Sequence, residues 1–386
     1  MNASLSAAIG TPAAVRAPAA ATWSALLLSG LLLLPLQSLQ IGIVQPAQLW
    51  AVAALAFLIQ RGQIRASVPE VLIYALFMAF ALVATFFAGY PHIKVAEQLM
   101  KFGFLYPAFF LVGRALAVHY RDAALPYAYL LLWLLLAAQY ALQFFEVPYL
   151  FRYVEFMQDA LYGSFKERNW LAIYFFLASY VLFLRSPRAA RDVFYFAALG
   201  VTVALLSESK TILVPVAMAL LLHVPGRAGL KGLLVAAGTA LYVWRFGREL
   251  TGEQLAVRLE DERGLAFAHS VELLSDNWLG HGFGFVEAHF ANLWFSVKGL
   301  GLGTNSVFSS PLDLMLIAGI PGLVFWAVFF AGVGLRAFTL LAPVAAWSLL
   351  NPLHQSEIVY LFAGWLVAWG LHESRRHKTA PGEGQG

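Results

Sequence analysis

Cysteine is absent from all 386 residues, which excludes disulfides, thiolate metal sites and cysteine nucleophiles. Charge is scarce too. Asp, Glu, Lys and Arg make up 12% of the chain, against about 25% in ordinary soluble domains, and a water-facing surface needs more than that. Hydrophobic residues reach 61%, in long blocks that do not alternate with polar residues, and mean hydropathy is +0.72. An integral membrane protein is expected. The net charge of +4 is small and divided among loops, so it bears on topology and gives no footprint for nucleic acid.

A spanning helix needs about 20 mostly apolar residues. About twelve such blocks are legible, at 23–43, 46–60, 70–89, 98–117, 125–145, 169–185, 192–207, 211–225, 229–246, 308–333, 337–353 and 357–373, the second and eighth being short. The predicted fold is an all-α integral membrane protein. A disordered tail over 1–20 leads into helices one to nine over 21–246. One long periplasmic loop follows over 247–306, then helices ten to twelve over 307–374 and a tail over 375–386. The first block imitates a secretory leader, but the blocks behind it favour a retained helix.

Cation placement tests this count. With the N-terminus in the cytoplasm, fourteen of the 25 Lys and Arg residues fall in cytoplasmic tails and short loops, every one of which is basic. Eleven fall on the other side, and several of these lie in the long loop, which escapes the rule. The predicted topology is N-in and C-in.

The outer face still carries more cations than topology requires. Lys94, Glu97 and Lys101 are spaced i, i+3, i+7 and share a helical face. Lys210 lies in a loop of a few residues between two apolar blocks, close to the bilayer. Such cations either pair with nearby acids, such as Glu167, Glu208, Glu260 and Glu262, or form an anion site at headgroup level.

Several polar segments punctuate the apolar blocks. Gly163–Ser164–Phe165–Lys166–Glu167–Arg168–Asn169 leads into a helix, with Asn169 as a candidate cap. Ser207–Glu208–Ser209–Lys210–Thr211 forms a tight polar hairpin. The centre of the stretch 258–284 can form an amphipathic helix with Arg258, Glu262, Leu265, His269 and Glu272 along one stripe. The turn that follows, Gly280–His281–Gly282–Phe283–Gly284, is not a nucleotide loop, because no strand precedes it and no Walker lysine follows. Thr304–Asn305–Ser306 then precedes a block containing Gly319–Ile320–Pro321–Gly322.

In this order the segments resemble the O-antigen polymerase and O-antigen ligase superfamily of polytopic glycosyltransferases. The resemblance covers about residues 160–325; elsewhere only helix count and topology agree. It implies transfer of a glycan from undecaprenyl diphosphate to an acceptor hydroxyl outside the inner membrane. It also implies partners: the lipid diphosphate-linked oligosaccharide, an acceptor glycan, membrane lipid and a chain-length regulator.

The residues suit that chemistry. The donor's anomeric carbon is already activated, so no nucleotide site is needed. Arg and Lys can stabilise the charge that develops on the leaving diphosphate. No D-x-D motif or His/carboxylate cluster with ligand spacing is seen, so neither a metal nor another cofactor is expected. The catalytic candidates are Arg258, Arg263, His281 and His289, and the substrate-binding candidates are Lys94, Lys101, Arg168, Lys210, Asn305 and His354. Arg263 matches the arginine that opens the family's long-loop motif, one residue closer to Gly280 than the family spacing, so Arg258 stays as a competing match. Trp278, Phe283, Phe285, Phe290 and Trp294 offer aromatic walls.

One position departs from the ligase pattern, which places a His before the Asn of the late helix. Here it is Thr304. That favours a polymerase over a ligase, with the base supplied by His281, His289 or His354, or by the carboxylate of Glu272. Two other classes fit an all-helical chain. A transporter would usually show internal repeats and charge near the bilayer midplane. A scaffold of an export system would not need the polar motifs of the long loop.

Overall fold

A computed structural model describes residues 20–40, 44–64, 66–88, 92–119, 125–153, 159–186, 189–224, 262–292, 307–332 and 335–378, with isolated positions between 226 and 240. Among the described residues 79% are helical and none forms a strand. Among the described residues four helices are long and apolar enough to cross a membrane: Val68–Ala88, Lys94–His119, Tyr127–Phe144 and Ala190–Ser207. A fifth span exists if Ile320–Ala331 and Leu335–Ser348, set at 100° to each other, form one broken crossing. Shorter apolar helices fill the remaining blocks, and the block expected at 229–246 lies almost wholly outside the described residues.

The first helices are α1 (Ala20–Leu33), α2 (Pro46–Gln60) and α3 (Val68–Ala88). Pro46 at the first position of α2 sacrifices no hydrogen bond there. α3 opens with a capping box: the Ser67 N–H donates to Glu70 Oε2 (2.8 Å) and the Glu70 N–H to Ser67 Oγ (3.4 Å). α4 (His92–Met100), a π-helical turn (Lys101–Leu105) and α5 (Tyr106–His119) follow as one rod. Arg114 of α5 pairs with Glu70, with 10% and 12% of the two side chains exposed. Breaking a fully buried pair costs about 3–5 kcal/mol. Because this one keeps some solvent, Arg114→Ala should lower stability by about 2–3 kcal/mol. Thermal unfolding in detergent checks this, and an unchanged midpoint would mean that the pair is effectively solvated.

α6 (Leu125–Phe144) leads to α7 (Arg168–Arg185), the centre of the bundle. Every residue of α7 from Leu171 to Leu184 is buried, as a helix apolar on all sides should be. α8 (Ala190–Ser207), a 3₁₀ turn (Lys210–Ile212) and α9 (Leu213–His223) complete the first part. α10 (Glu262–Asp276) and α11 (Phe285–Asn292) come from the segment expected to be a long loop. α12 (Ser310–Ala318), α13 (Ile320–Trp326), a π-helical turn (Ala327–Ala331), α14 (Leu335–Ser348) and α15 (Glu357–Lys378) end the chain. α5 and α15 touch backbone to backbone, since a Cβ at Gly113 would overlap the Leu361 carbonyl and one at Gly364 the Phe110 carbonyl.

Two expectations need correction. The apolar block 308–333 is not one straight span. At Gly319 (φ +61°) the chain breaks, and α13 folds back so closely that a Cβ at Gly322 would overlap the Leu314 carbonyl oxygen. An unbroken apolar run cannot reveal such a reversal, because both arms bury the same kind of surface. Asn169 also does not cap α7. Glu167 occupies that position, and the Asn169 side chain instead receives a hydrogen bond from another segment.

Candidate functional site

The polar segments gather at one end of the bundle, toward and away from which the helices run in alternation. The C-terminal ends of α3, α8 and α14 meet the N-terminal ends of α4, α7, α9 and α15 there. The Gly280–Gly284 turn is pinned into this end by backbone donors. The His281 N–H donates to Leu316 O (2.7 Å) and the Gly282 N–H to Ile317 O (2.9 Å), both on α12. The Phe283 N–H donates to Thr85 Oγ1 (2.7 Å) and the Gly284 N–H to Gln98 Oε1 (2.8 Å). Three glycines make this docking feasible. Gly280, Gly282 and Gly284 take φ of +90°, +90° and +82°, and a Cβ on Gly282 would overlap the Thr85 backbone. Phe283 fills the space beneath, against Phe77 and Phe102.

The hairpin and the start of α7 are joined directly. The Ser209 hydroxyl donates to Asn169 Oδ1 (2.9 Å), and Arg168 lies 3.6 Å from Glu208. Thr211 Oγ1 accepts from Trp347 Nε1–H (3.0 Å) and Asn351 Nδ2–H (3.3 Å). From there a chain of contacts continues through Ser310, whose hydroxyl donates to Asn351 O (2.9 Å) and accepts from the His354 N–H (3.3 Å). His354 Nε2 stands 3.6 Å from Asp313 Oδ2, and Asp313 Oδ1 accepts from the Val307 N–H (2.9 Å).

His354 is 2% exposed and its Nδ1 has no hydrogen-bond partner. A second proton would sit on that nitrogen with no acceptor. Burial, with the Lys101 charge nearby, accordingly pulls its pKa down to about 3. It is a neutral, enclosed imidazole.

Lys94 and Lys101 share Glu97, at 3.6 and 2.6 Å, as their helical spacing predicts. Lys101 opens the π-helical turn, a distortion often found at working sites. Its charge also acts on Glu287, and Lys166 adds its charge at Glu97. Glu287 Oε1 accepts from Gln98 Nε2–H, while its Oε2 is buried without a partner. Burial raises the Glu287 carboxyl above the usual range, and the Gln98 hydrogen bond and Lys101 offset part of that.

α10 and α11 carry the imidazoles. Ala266 and Ser270 are buried, so α10 packs along that face, while Phe267 and Val271 stay exposed. Phe285 is sandwiched between His281 and His289, with ring centroids 4.1 and 4.8 Å apart. His289 Nε2 lies 2.9 Å from His269 Nε2, and His269 Nδ1 lies 3.2 Å from Glu272 Oε2. Burial holds His281 below the ordinary imidazole range, against the upward pull of the Leu273 carbonyl and Asp276. Burial also lowers His289, helped by His269 and His281.

The sequence candidates thus fall into groups. Lys94, Lys101, Arg168, Lys210, His281, His289 and His354 all lie at this end of the bundle. Arg263 is the second residue of α10, whereas Arg258 and Asn305 lie outside the described residues. Gln98, Glu287, Asp313 and His269 were not singled out as site residues, although His269 stands on the amphipathic stripe. Among the described residues no group of three or more His, Asp and Glu side chains is placed to hold a metal ion. Neither the protein-family models nor the curated proteins contain a match to this chain.

Proposed function

We propose that this chain is a multi-pass glycosyltransferase of the bacterial inner membrane. It takes a glycan from undecaprenyl diphosphate, joins it to an acceptor sugar hydroxyl at the periplasmic face, and works as a polysaccharide polymerase. The observation that carries the proposal is convergence. Segments 163–169, 207–211, 280–284 and 351–357, far apart in sequence, meet at one helical end that is rich in cations and imidazoles. The finer topology, twelve spans with both termini in the cytoplasm, belongs to the same proposal. The alternation of helix ends supports it.

In this reading Lys101, Arg168, Lys210 and an arginine of the long loop, Arg263 or Arg258, face the donor diphosphate. They stabilise the negative charge that grows as the anomeric C–O bond breaks. His289 takes the proton of the attacking hydroxyl, since a neutral imidazole near its working pH is an effective base. Thr304, where a ligase would carry histidine, favours chain growth over transfer to a core lipid.

Purified protein supplied with lipid diphosphate-linked repeats should yield a ladder of products. A single addition to a core acceptor would identify a ligase, and movement of the lipid across vesicles without any product would identify a transporter. Because charge stabilisation is assigned to Arg and Lys, the ladder should persist in a chelator. Complete loss that Mg²⁺ or Mn²⁺ restores would overturn that assignment.

A further inference from the structure

We infer that His289, His269 and Glu272 form a proton relay that carries the proton released by the acceptor hydroxyl from the transfer site to solvent. The relay rests on the glycan-transfer reading and assigns two groups, His269 and Glu272, that touch neither donor nor acceptor.

The geometry supplies both links. His289 Nε2 and His269 Nε2 are 2.9 Å apart, with the two rings within 13° of parallel. At that separation one nitrogen must carry hydrogen and the other must accept it. His269 Nδ1 is 3.2 Å from the Glu272 carboxylate, which an N–H satisfies. With both rings neutral, His269 then holds its hydrogen on Nδ1 and accepts at Nε2. His289 must donate from Nε2, and its Nδ1 is left as the lone pair. One carboxylate therefore fixes the tautomers of two imidazoles.

The line ends at solvent. His289 and His269 are both half-buried, the His269 side chain being 27% exposed, whereas the Glu272 side chain is 71% exposed. On the inner side Phe285 and His281 close the path, with Asp276 the charged group near His281. Burial, together with His269 and His281, keeps His289 neutral at pH 7 and ready to accept. Both histidines ride on helices packed against α12, so the 2.9 Å contact does not depend on a wandering loop.

The step balances as follows. The acceptor oxygen bonds to the anomeric carbon, and the bond to the diphosphate oxygen breaks with its electron pair leaving on the diphosphate. The hydroxyl proton passes to His289 Nδ1. The proton on His289 Nε2 passes to His269 Nε2, and the proton on His269 Nδ1 passes to Glu272 or water. Reversal of the two tautomers through solvent resets the pair.

The test uses full-length protein in lipid discs. His269→Ala should slow transfer about 10²-fold with donor KM unchanged, because one acid–base link is lost. Added imidazole should restore much of the rate. Glu272→Gln should shift the acidic limb of the pH profile, and the wild-type solvent deuterium isotope effect should shrink in both variants. Isotope-labelled histidine read by NMR tests the pair without activity: in wild type His269 should carry its hydrogen on Nδ1 and His289 on Nε2, and in His269→Ala the His289 titration should move up toward the ordinary value. Wild-type rate and isotope effect in His269→Ala, or the opposite tautomers in wild type, would overturn the relay. The expected tautomer pair in a wild-type protein that makes no glycan product would instead overturn the glycan-transfer reading on which the relay rests.

Discussion

Arg263→Ala is expected to slow polymer formation about 10²–10³-fold, roughly 3–4 kcal/mol of lost transition-state stabilisation. Arg263 is the second residue of α10, the helix that also carries His269 and Glu272. At 1.5 Å per residue, six residues place its backbone about 9 Å along the axis from His269. His269 in turn contacts His289, the assigned base, so α10 and α11 bring this backbone position and the base into one neighbourhood. Arginine suits a diphosphate because its planar fork gives two parallel hydrogen bonds, whereas lysine offers a compact point charge. Arg263→Lys should therefore recover only part of the loss. Arg191→Ala is the control: its side chain is 72% exposed, it meets Asp192 at 3.8 Å, and it lies at the opposite end of the bundle. Pairs of that kind contribute about 0–1 kcal/mol. Single-turnover assays at matched expression decide the matter. A near-normal rate for Arg263→Ala with a slow Arg258→Ala would move the contact to Arg258. Near-normal rates for both would remove the arginine clamp altogether.

What could be read from the sequence follows from what leaves a periodic trace. The helical character of α3, α7 and α8 was legible because each is a long apolar run with polar residues at its ends. The Lys94–Glu97–Lys101 grouping was legible because i, i+3 and i+7 share a face on any helix. The reversal at Gly319 was not, since neither arm of the hairpin changes composition there. Gln98 and Glu287 were not, because each is one polar residue in a mixed stretch and they meet across 189 positions. The same holds for Asp313, which reads as an isolated acid in an apolar helix until folding sets it beside His354. The motif segments sit between these cases. Their order suggested a common site, and Ser209 joins two of them directly, while Thr211 ties the hairpin to Asn351, which the order did not include.

The second large effect is expected at that acid. Asp313 is fully buried, accepts from the Val307 N–H at 2.9 Å, and faces His354 Nε2 at 3.6 Å. Asp313→Ala would leave the buried Val307 N–H unserved and strip the enclosed His354 ring of its facing carboxylate, so a stability loss of about 2–3 kcal/mol is expected. Asp313→Asn keeps an acceptor for Val307 and should lose about half as much. The direction with pH follows from His354. Its folded pKa, about 3, lies well below the ordinary imidazole value, so between those values the unfolded chain binds a proton that the folded protein refuses. Stability should hold above about pH 6.5 and fall as pH is lowered toward 3. His354→Asn, which removes the titrating ring and keeps a polar side chain, should flatten that slope. The readout is the thermal midpoint in detergent across pH 4–8 for wild type, Asp313→Ala and His354→Asn. A midpoint for Asp313→Ala within a degree of wild type would mean that the carboxylate is not the acceptor holding this end of the bundle together. An equal pH slope in wild type and His354→Asn would mean that another group, and not the enclosed imidazole, takes up the proton.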